Sequence, residues 1–221
     1  MPLRTLVLTR PEEQSQTFLK DCETALGRTI STIISPVLRI RRTEADVALD
    51  DYRTIIVTSQ NALQERDLSG RCVVTVGSQT AERARQLGAD ATCLGACVDE
   101  FVTNGARVQG PAIYLRGQHT RGDLVERMAD IGVRVDEVTV YMQEEQTLTP
   151  QAKDALEQGR AVVPVFSPRS AALVSAYATH PDTTIVAISA AAADAWFGEG
   201  RVITAQRPDK DAMCDSVLAA L

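Results

Sequence analysis

Residues 54–63 read TIIVTSQNAL, an apolar run followed by small polar residues and then a helical pattern. Residues 162–173 read VVPVFSPRSAAL and repeat that order. The pattern is typical of a buried strand that leads into the N-terminus of a helix, where backbone N–H groups point outward and favour anions. The two copies lie about 108 residues apart, roughly the size of a small domain, so they predict a duplicated α/β architecture.

Two further pairs of segments follow a similar offset, of roughly 105 to 112 residues. Residues 8–11 (LTRP) return as residues 115–117 (LRG), and residues 76–81 (VGSQTA) return in degraded form as residues 188–193 (ISAAAA). Apolar strand patterns alternate with helical patterns along the whole chain. This alternation predicts parallel sheets that are covered by helices on both faces.

The repeat leaves two ways to divide the chain into domains. If residues 3–27 belong with the last part of the chain, each domain holds one complete set of three segments. The extended segments 36–40 and 138–143 would then be two crossings between the domains, able to pair as a short antiparallel ladder. The alternative is two sequential domains with a single crossing near residue 110. Two facing domains with several such helix ends predict a cleft for a strongly acidic ligand.

The composition excludes several classes of function. The 221 residues carry a net charge of −6 without a block of Lys or Arg, so nucleic acid is not an expected partner. The five cysteines are scattered and odd in number, which indicates a reducing compartment rather than a disulfide framework. Cys93 and Cys97 lack further ligands, so no metal site is expected. No apolar signal core follows Met1 and no apolar run approaches ~18 residues, which predicts a cytoplasmic protein without a membrane segment.

Candidate binding groups follow the predicted strands at their carboxyl ends, where open parallel sheets bind ligands. They are the hydroxyls and amides of residues 58–59, 77–80 and 167–168. Ordinary helix caps, each contributing about 1 kcal/mol of stability, are the alternative interpretation. Because the same type of strand end recurs in both halves of the chain, the pattern favours a binding role.

Four arginines lie near these strand ends. Arg10 and Arg116 are equivalent in the repeat, each expected just past a buried strand. Arg121 and Arg169 lie within a turn of predicted helix N-termini, where a positive charge opposes the helix dipole. This repeated unfavourable placement indicates that the side chains meet carboxylates, and solvated surface arginines are the alternative. His119 lies in the loop between Arg116 and Arg121 and is a further candidate for the site.

Tyr141 ends an extended run, just before an acidic connection expected at residues 143–149. From a crossing between the domains, its phenol would reach the cleft and donate a proton to a leaving oxygen without a cofactor. The alternative is that the ring packs against the edge of a sheet.

Taken in order, these segments resemble the uroporphyrinogen-III synthase family almost from end to end. The resemblance rests on the order and spacing of the motifs, since the family diverges widely in sequence. The motifs are residues 8–11 (LTRP), 35–38 (SPVL), 52–63 (YRTIIVTSQNAL), 76–81 (VGSQTA), 114–141 (YLRGQHTRGDLVERMADIGVRVDEVTVY) and 166–173 (FSPRSAAL).

The resemblance implies an α/β fold of two flavodoxin-like parallel-sheet domains, the first of them discontinuous, joined by a two-stranded β linker. The implied first domain combines residues 1–36 with residues 142–221. The second domain is implied at residues 41–137, and the linker at residues 37–40 and 138–141.

The resemblance also implies a reaction. The family converts linear hydroxymethylbilane into uroporphyrinogen III in haem biosynthesis, with loss of water and inversion of ring D. It is a cyclising hydro-lyase that uses neither a metal nor an organic cofactor. The substrate carries eight carboxylates, which suit amide-lined helix ends and a few arginines. The aromatic content of only 4% agrees with a site that does not rely on stacking.

Carried over by motif, Tyr141 is the implied catalytic residue, which assists departure of the hydroxyl. The implied substrate-binding residues are Arg10, Ser59, Ser78, Thr80, Arg116, Gly117, Ser167, Ser170 and Ser189. The last segment departs from the family pattern, because residues 189–193 (SAAAA) replace a glycine and a threonine pair. Contacts in this segment are therefore expected through backbone amides or Ser189.

The implied partner is the small-molecule substrate, and we expect a monomer that makes transient contact with the preceding enzyme of the pathway. A rival interpretation is a non-catalytic, two-lobed binding or sensor protein that closes on a small anionic metabolite. Both interpretations use the same strand ends. They differ in the product, because only the enzyme forms the inverted ring.

Overall fold

The computed structural model describes residues 4–45, 47–120, 123–178 and 180–221. The strands of these residues are β1 (Thr5–Leu8), β2 (Thr32–Ile34), β3 (Leu38–Arg42), β4 (Thr54–Val57), β5 (Cys72–Val76), β6 (Asp90–Gly95), β7 (Ala112–Gly117), β8 (Val135–Glu145), β9 (Ala161–Val165), β10 (Thr184–Ala187) and β11 (Arg201–Thr204). The helices are α1 (Glu12–Leu26), α2 (Gln60–Leu63), α3 (Ser78–Gln86), α4 (Val98–Thr103), α5 (Leu124–Asp130), α6 (Pro150–Glu157), α7 (Pro168–Ser175), α8 (Ala190–Asp194) and α9 (Lys210–Ala220). Short 3-10 turns lie at Leu49–Asp51 and Gly105–Arg107.

The described chain divides into two compact units. Unit 1 consists of the described residues within Met1–Arg39 and Glu144–Leu221. Unit 2 consists of those within Ile40–Gln143.

The sheet of unit 1 has the strand order β11-β10-β9-β1-β2, and these strands pair in parallel. The strand β1 lies between β2 and β9, with Leu6 opposite Thr32 on one side and Val162 on the other. Leu6 and Leu8 face a core formed with α1 and α9. Val7 faces a second core, formed with α6, α7 and α8. Burial on both faces explains why this strand reads as a continuous apolar run.

The sheet of unit 2 has the strand order β3-β8-β7-β4-β5-β6, and β4 to β8 pair in parallel. One face is covered by α2 and α3, where Leu63 and Ala81 are fully buried. The other face is covered by α4 and α5, where Phe101 and Met128 are fully buried. The α/β class with parallel sheets, expected from the alternating pattern, is confirmed.

The three pairs of repeated motifs fall on three pairs of strands in the two sheets. The motifs at residues 8–11 and 115–117 follow or end β1 and β7, and the opening pair of motifs contains β4 and β9. The third pair of motifs follows β5 and β10. With this pairing, β11-β10-β9-β1-β2 corresponds to β6-β5-β4-β7-β8, so the parallel strands of both sheets have one spatial order. The two units differ in which strand of this order comes first along the chain. It is β1 in unit 1, and in unit 2 it is β4, the counterpart of β9.

Two strand boundaries differ from those expected. The strand β8 continues to Glu145, into the segment that was expected to be a connection. The strand β7 continues to Gly117, so Arg116 lies within the strand rather than past it. The cause is pairing with β8, because Arg116 is matched with Thr139 and Gly117 is matched with Tyr141 after a shift in register.

Candidate active site

In unit 1 the chain continues from β1 to β2 on one side and later to β9 on the other side of β1. The order in which strands are added to the sheet therefore switches sides between β1 and β9. In open parallel sheets, ligands bind in the crevice outside the carboxyl ends of the strands at such a point. Arg10 lies two residues beyond the end of β1, and Ser167 lies two residues beyond the end of β9. The structure therefore brings these two predicted binding residues to the same edge of one sheet.

The side chain of Arg10 is half-buried and is held by two neighbours within unit 1. Its Nη2 donates a hydrogen bond to Gln14 Oε1 at 3.0 Å, and its Cζ lies 4.1 Å from the centre of the Phe166 ring. Burial lowers the pKa of the Arg10 guanidinium from its ordinary value. The group still remains charged at neutral pH, because an arginine does not deprotonate there in proteins.

The predicted hydroxyls of unit 1 act as helix caps. The Ser170 backbone N–H donates to Ser167 Oγ at 3.1 Å, and the Ser167 backbone N–H donates to Ser170 Oγ at 3.2 Å. This reciprocal pair starts α7. Ser189 starts α8 in a similar way, accepting a hydrogen bond from the Ala192 backbone at 3.3 Å. The capping alternative therefore describes these contacts. The Ser170 hydroxyl also donates to the Ser167 carbonyl at 3.0 Å, whereas the Ser189 hydroxyl keeps its own proton to donate to a ligand.

In unit 2 the corresponding switch lies between β4 and β7. Ser59 caps α2 by accepting from the Asn61 backbone at 3.3 Å, but α2 is a single turn of four residues and has little dipole. Ser78 is the exposed first residue of α3, and Gly77 is the residue that precedes the helix. Thr80 follows Ser78 by two residues and is 6% exposed.

Arg116 is paired with a carboxylate of the neighbouring strand. Its Nη1 lies 3.4 Å from Glu137 Oε2 and 3.3 Å from Thr120 Oγ1. These three residues line a pocket of about 180 Å³, together with Tyr114 and Asp123. Because acidic side chains also line the pocket, an anionic ligand would have to compete with Glu137 for the guanidinium.

A contact between β4 and β7 was not anticipated from the sequence. The hydroxyls of Thr58 and Tyr114 lie 2.7 Å apart, and burial raises the pKa of the Tyr114 phenol above its ordinary value. The phenol therefore stays protonated at neutral pH and is a hydrogen-bond donor or acceptor at this edge of the sheet. The signal in the sequence is a tyrosine within the apolar run that precedes Arg116.

The ring of Tyr141 is closely packed over Gly117. Tyr141 is 6% exposed, and a Cβ atom placed on Gly117 would lie 2.4 Å from Tyr141 Cζ. The backbone around it is also fixed, because Gln118 N–H donates to Tyr141 O at 3.0 Å and Gln64 Nε2 donates to Val140 O at 2.8 Å. Only glycine at position 117 admits this ring position.

Arg169, His119 and Arg121 are the remaining candidates from the sequence. Arg169 Nη2 lies 3.3 Å from Glu145 Oε1, so it has a carboxylate partner within unit 1. His119 is exposed. Arg121 lies outside the described residues.

Comparison with known proteins decides the family. The family model described as uroporphyrinogen-III synthase HemD matches residues 23–215, which is most of the chain. The chain belongs to the uroporphyrinogen-III synthase family. Its members are cyclising lyases of haem biosynthesis, so the expected enzyme class is confirmed. No match was found among curated proteins.

Solved structures of uroporphyrinogen-III synthases have a similar fold. The enzyme from Helicobacter pylori aligns with a TM-score of 0.69 and 14% identity, over 99% of this chain and 100% of that chain. A mutant enzyme from the extremely thermophilic bacterium Thermus thermophilus aligns with a TM-score of 0.53 and 14% identity, over 98% of both chains. At 14% identity, these alignments show that the fold is similar and no more.

Among the described residues, no group of three or more His, Cys, Asp or Glu side chains is arranged to hold a metal ion. Within the same residues, no helix has the length and apolar character required to cross a membrane.

The packing of Tyr141 over Gly117 gives a prediction about stability. Gly117→Ala should lower the free energy of unfolding of unit 2 by ~1–3 kcal/mol, because the added methyl group overpacks the ring. Urea unfolding followed by far-UV circular dichroism measures the change, since the sole tryptophan, Trp196, lies in unit 1. In a Tyr141→Ala background the same substitution should cost little. Equal losses in both backgrounds would contradict the proposed clash.

Proposed function

We propose that the chain cyclises hydroxymethylbilane to uroporphyrinogen III, with inversion of ring D and loss of water. The observation that carries the proposal is the match of the uroporphyrinogen-III synthase family model to residues 23–215. The site supports this function because each parallel sheet has an arginine and helix-capping hydroxyls near the carboxyl ends of its strands, where ligands bind.

The proposed reaction needs positioning more than reactive groups. Ring A loses its hydroxyl as water, which leaves an azafulvene cation. Ring D attacks this cation through its already substituted carbon and forms a spiro intermediate, which fragments and recloses with the ring inverted. Because the linear substrate cyclises unaided to the uninverted isomer, the enzyme must hold a conformation that favours attack at the hindered carbon.

The eight carboxylates of the substrate are the groups for which the strand ends are suited. We propose as substrate-binding residues Arg10, Ser167, Ser170 and Ser189 in unit 1, and Ser59, Ser78, Thr80, Arg116 and Gly117 in unit 2. Backbone N–H groups supply many of these contacts, since the oxygens of Ser59, Ser167, Ser170 and Ser189 already accept hydrogen bonds from the backbone. The charged contacts fall to the two arginines.

The finer architecture is part of the proposal. Two flavodoxin-like domains, at residues 1–36 with 142–221 and at residues 41–137, would be joined by a linker of residues 37–40 and 138–141. Support comes from the order β2-β1-β9-β10-β11, which is that of a flavodoxin-like sheet when the strands are numbered within unit 1. We further propose a cytoplasmic monomer that contacts the preceding enzyme of the pathway transiently.

Analysis of the product isomer tests the function directly. With hydroxymethylbilane generated enzymatically in the same vessel, the chain should give the type III isomer, and a reaction without the chain should give type I. The isomers are separated after oxidation to the porphyrins and quantified. Type I alone, formed at the spontaneous rate, would reject the enzyme and leave the binding protein as the interpretation.

We propose that Tyr141 donates a proton to the departing hydroxyl. Tyr141→Phe should then lower kcat by ~10-fold or more, because general acid catalysis is lost while the ring remains packed. Tyr177→Phe is the matched control, since Tyr177 lies in unit 1 outside the proposed site. Turnover by Tyr141→Phe within about twofold of the unmodified chain would assign the ring to packing alone.

The pair of Arg116 and Glu137 gives a prediction with opposite signs. Arg116→Ala should raise KM by ~10-fold or more, because a charge-assisted hydrogen bond to a substrate carboxylate is lost. Glu137→Gln should lower KM by ~2- to 5-fold, because it removes a half-exposed competitor for the guanidinium. Initial rates over a range of substrate concentration separate the two effects. Unchanged KM in both variants would show that the ion pair is structural.

A further inference from the structure

Arg10 differs from the other described candidate arginines in its partners. Arg116 is paired with Glu137, and Arg169 is paired with Glu145. Within the ranges that the structure describes, no ion pair includes Arg10, and its guanidinium contacts an amide oxygen and an aromatic ring instead. A half-buried cation held by neutral groups keeps its full charge for an anion that arrives with a ligand.

The register of the sheet places the ring and the cation together. Leu6 is opposite Val162 in the pairing of β1 with β9. Arg10 and Phe166 each follow these residues by four positions, and they meet just beyond the ends of the two strands. The contact is therefore set by the pairing of neighbouring strands and not by the local sequence around either residue.

The ring of Phe166 is itself held in place by a second aromatic residue. Phe18 packs edge-on against it, with ring centres 5.1 Å apart and planes inclined by 82°. Phe18 is 1% exposed and belongs to the core between the sheet and α1. Gln14 lies one turn before Phe18 on α1, so one helix supplies both the amide oxygen for Arg10 and the support for the ring.

We propose that Phe166 and Gln14 are positioning residues that present the Arg10 guanidinium to one side-chain carboxylate of the tetrapyrrole substrate. This inference rests on the proposed function. The ring face attracts the cation without neutralising it, and the amide oxygen occupies one of the five N–H donors. The remaining donors are available to a carboxylate, for which the planar guanidinium is suited.

A double-mutant cycle tests the role of Phe166. Phe166→Leu should raise KM by about 3- to 30-fold, the range expected for a cation–π contact, with kcat within about twofold. In an Arg10→Ala background, Phe166→Leu should have no further effect on KM. Phe166→Tyr keeps the aromatic ring, so its KM should be close to that of the unmodified chain. Leu19→Ala is the control for general loss of packing, because Leu19 packs against the same core.

Gln14→Glu tests the need for a neutral partner with almost no change in shape. It places a carboxylate against Arg10, so KM should rise by about 5-fold or more because the substrate must displace a paired anion. Gln14→Leu, which leaves no counter-ion, should have a smaller effect. Stability of each variant is measured by unfolding followed through Trp196, which lies in the same unit.

Three outcomes would overturn the inference. They are an unchanged KM in Phe166→Leu, an equal rise of KM with and without Arg10, and a Gln14→Glu variant with the KM of the unmodified chain. The proposed function is judged separately, by whether the unmodified chain forms the type III isomer. An active chain with any of these outcomes keeps the function and loses the positioning role.

Discussion

Burial of β1 between β2 and β9 is the interaction on which the candidate site of unit 1 depends. Residues 6–8 have no exposed surface, and fully burying such side chains contributes roughly 1.5–3 kcal/mol each. Because Leu6 and Leu8 pack in one core and Val7 packs in the other, a shift of one residue would place side chains of the wrong size in both, so close packing fixes the register of β1. The same register fixes what lies beyond the strand, so Arg10 meets Phe166 as a consequence of the core.

The same constraint has a different electrostatic result in unit 2. There β7 lies between β4 and β8 at the matching position of the sheet, and Arg116 is the counterpart of Arg10 in the repeat. The neighbouring strand β8 supplies Glu137, whereas in unit 1 the neighbour of Arg10 is an aromatic ring. Equivalent backbone positions therefore give one paired and one unpaired cation among the described residues. The repeat therefore preserves the position of the arginine but not the presence of a carboxylate partner.

The sequence predicts the elements of this fold well where the signal is local. Alternating apolar and helical segments were enough for the parallel α/β class, and the serines at positions 59, 167 and 189 do cap helices. The extension of β7 and β8 was not predictable, because it depends on pairing between strands. The strand β6 was not predicted either, because it lies at the edge of its sheet and only its residues Ala91 and Leu94 are buried.

The partners of individual side chains could not be predicted for a related reason. The pairs Arg10 with Phe166 and Thr58 with Tyr114 join residues 156 and 56 positions apart in sequence, respectively. Each pair depends on the register of two neighbouring strands, which a local pattern does not specify. Sequence therefore indicates which residues lie at the ligand-binding edge, but not which of them are already engaged.

This distinction matters because the proposed substrate is a polyanion and the chain has a net charge of −6. The overall field opposes association, and salt screens charges beyond about 8 Å at physiological ionic strength, so attraction must come from groups at the site. Hydroxyls that cap helices fix the backbone but add no net charge. Arg116 shares its charge with Glu137, which leaves Arg10 as the cation best able to compensate an incoming carboxylate among the described candidates. The neutral surroundings of Arg10 are thus the feature of this acidic protein that best matches the charge of the proposed substrate.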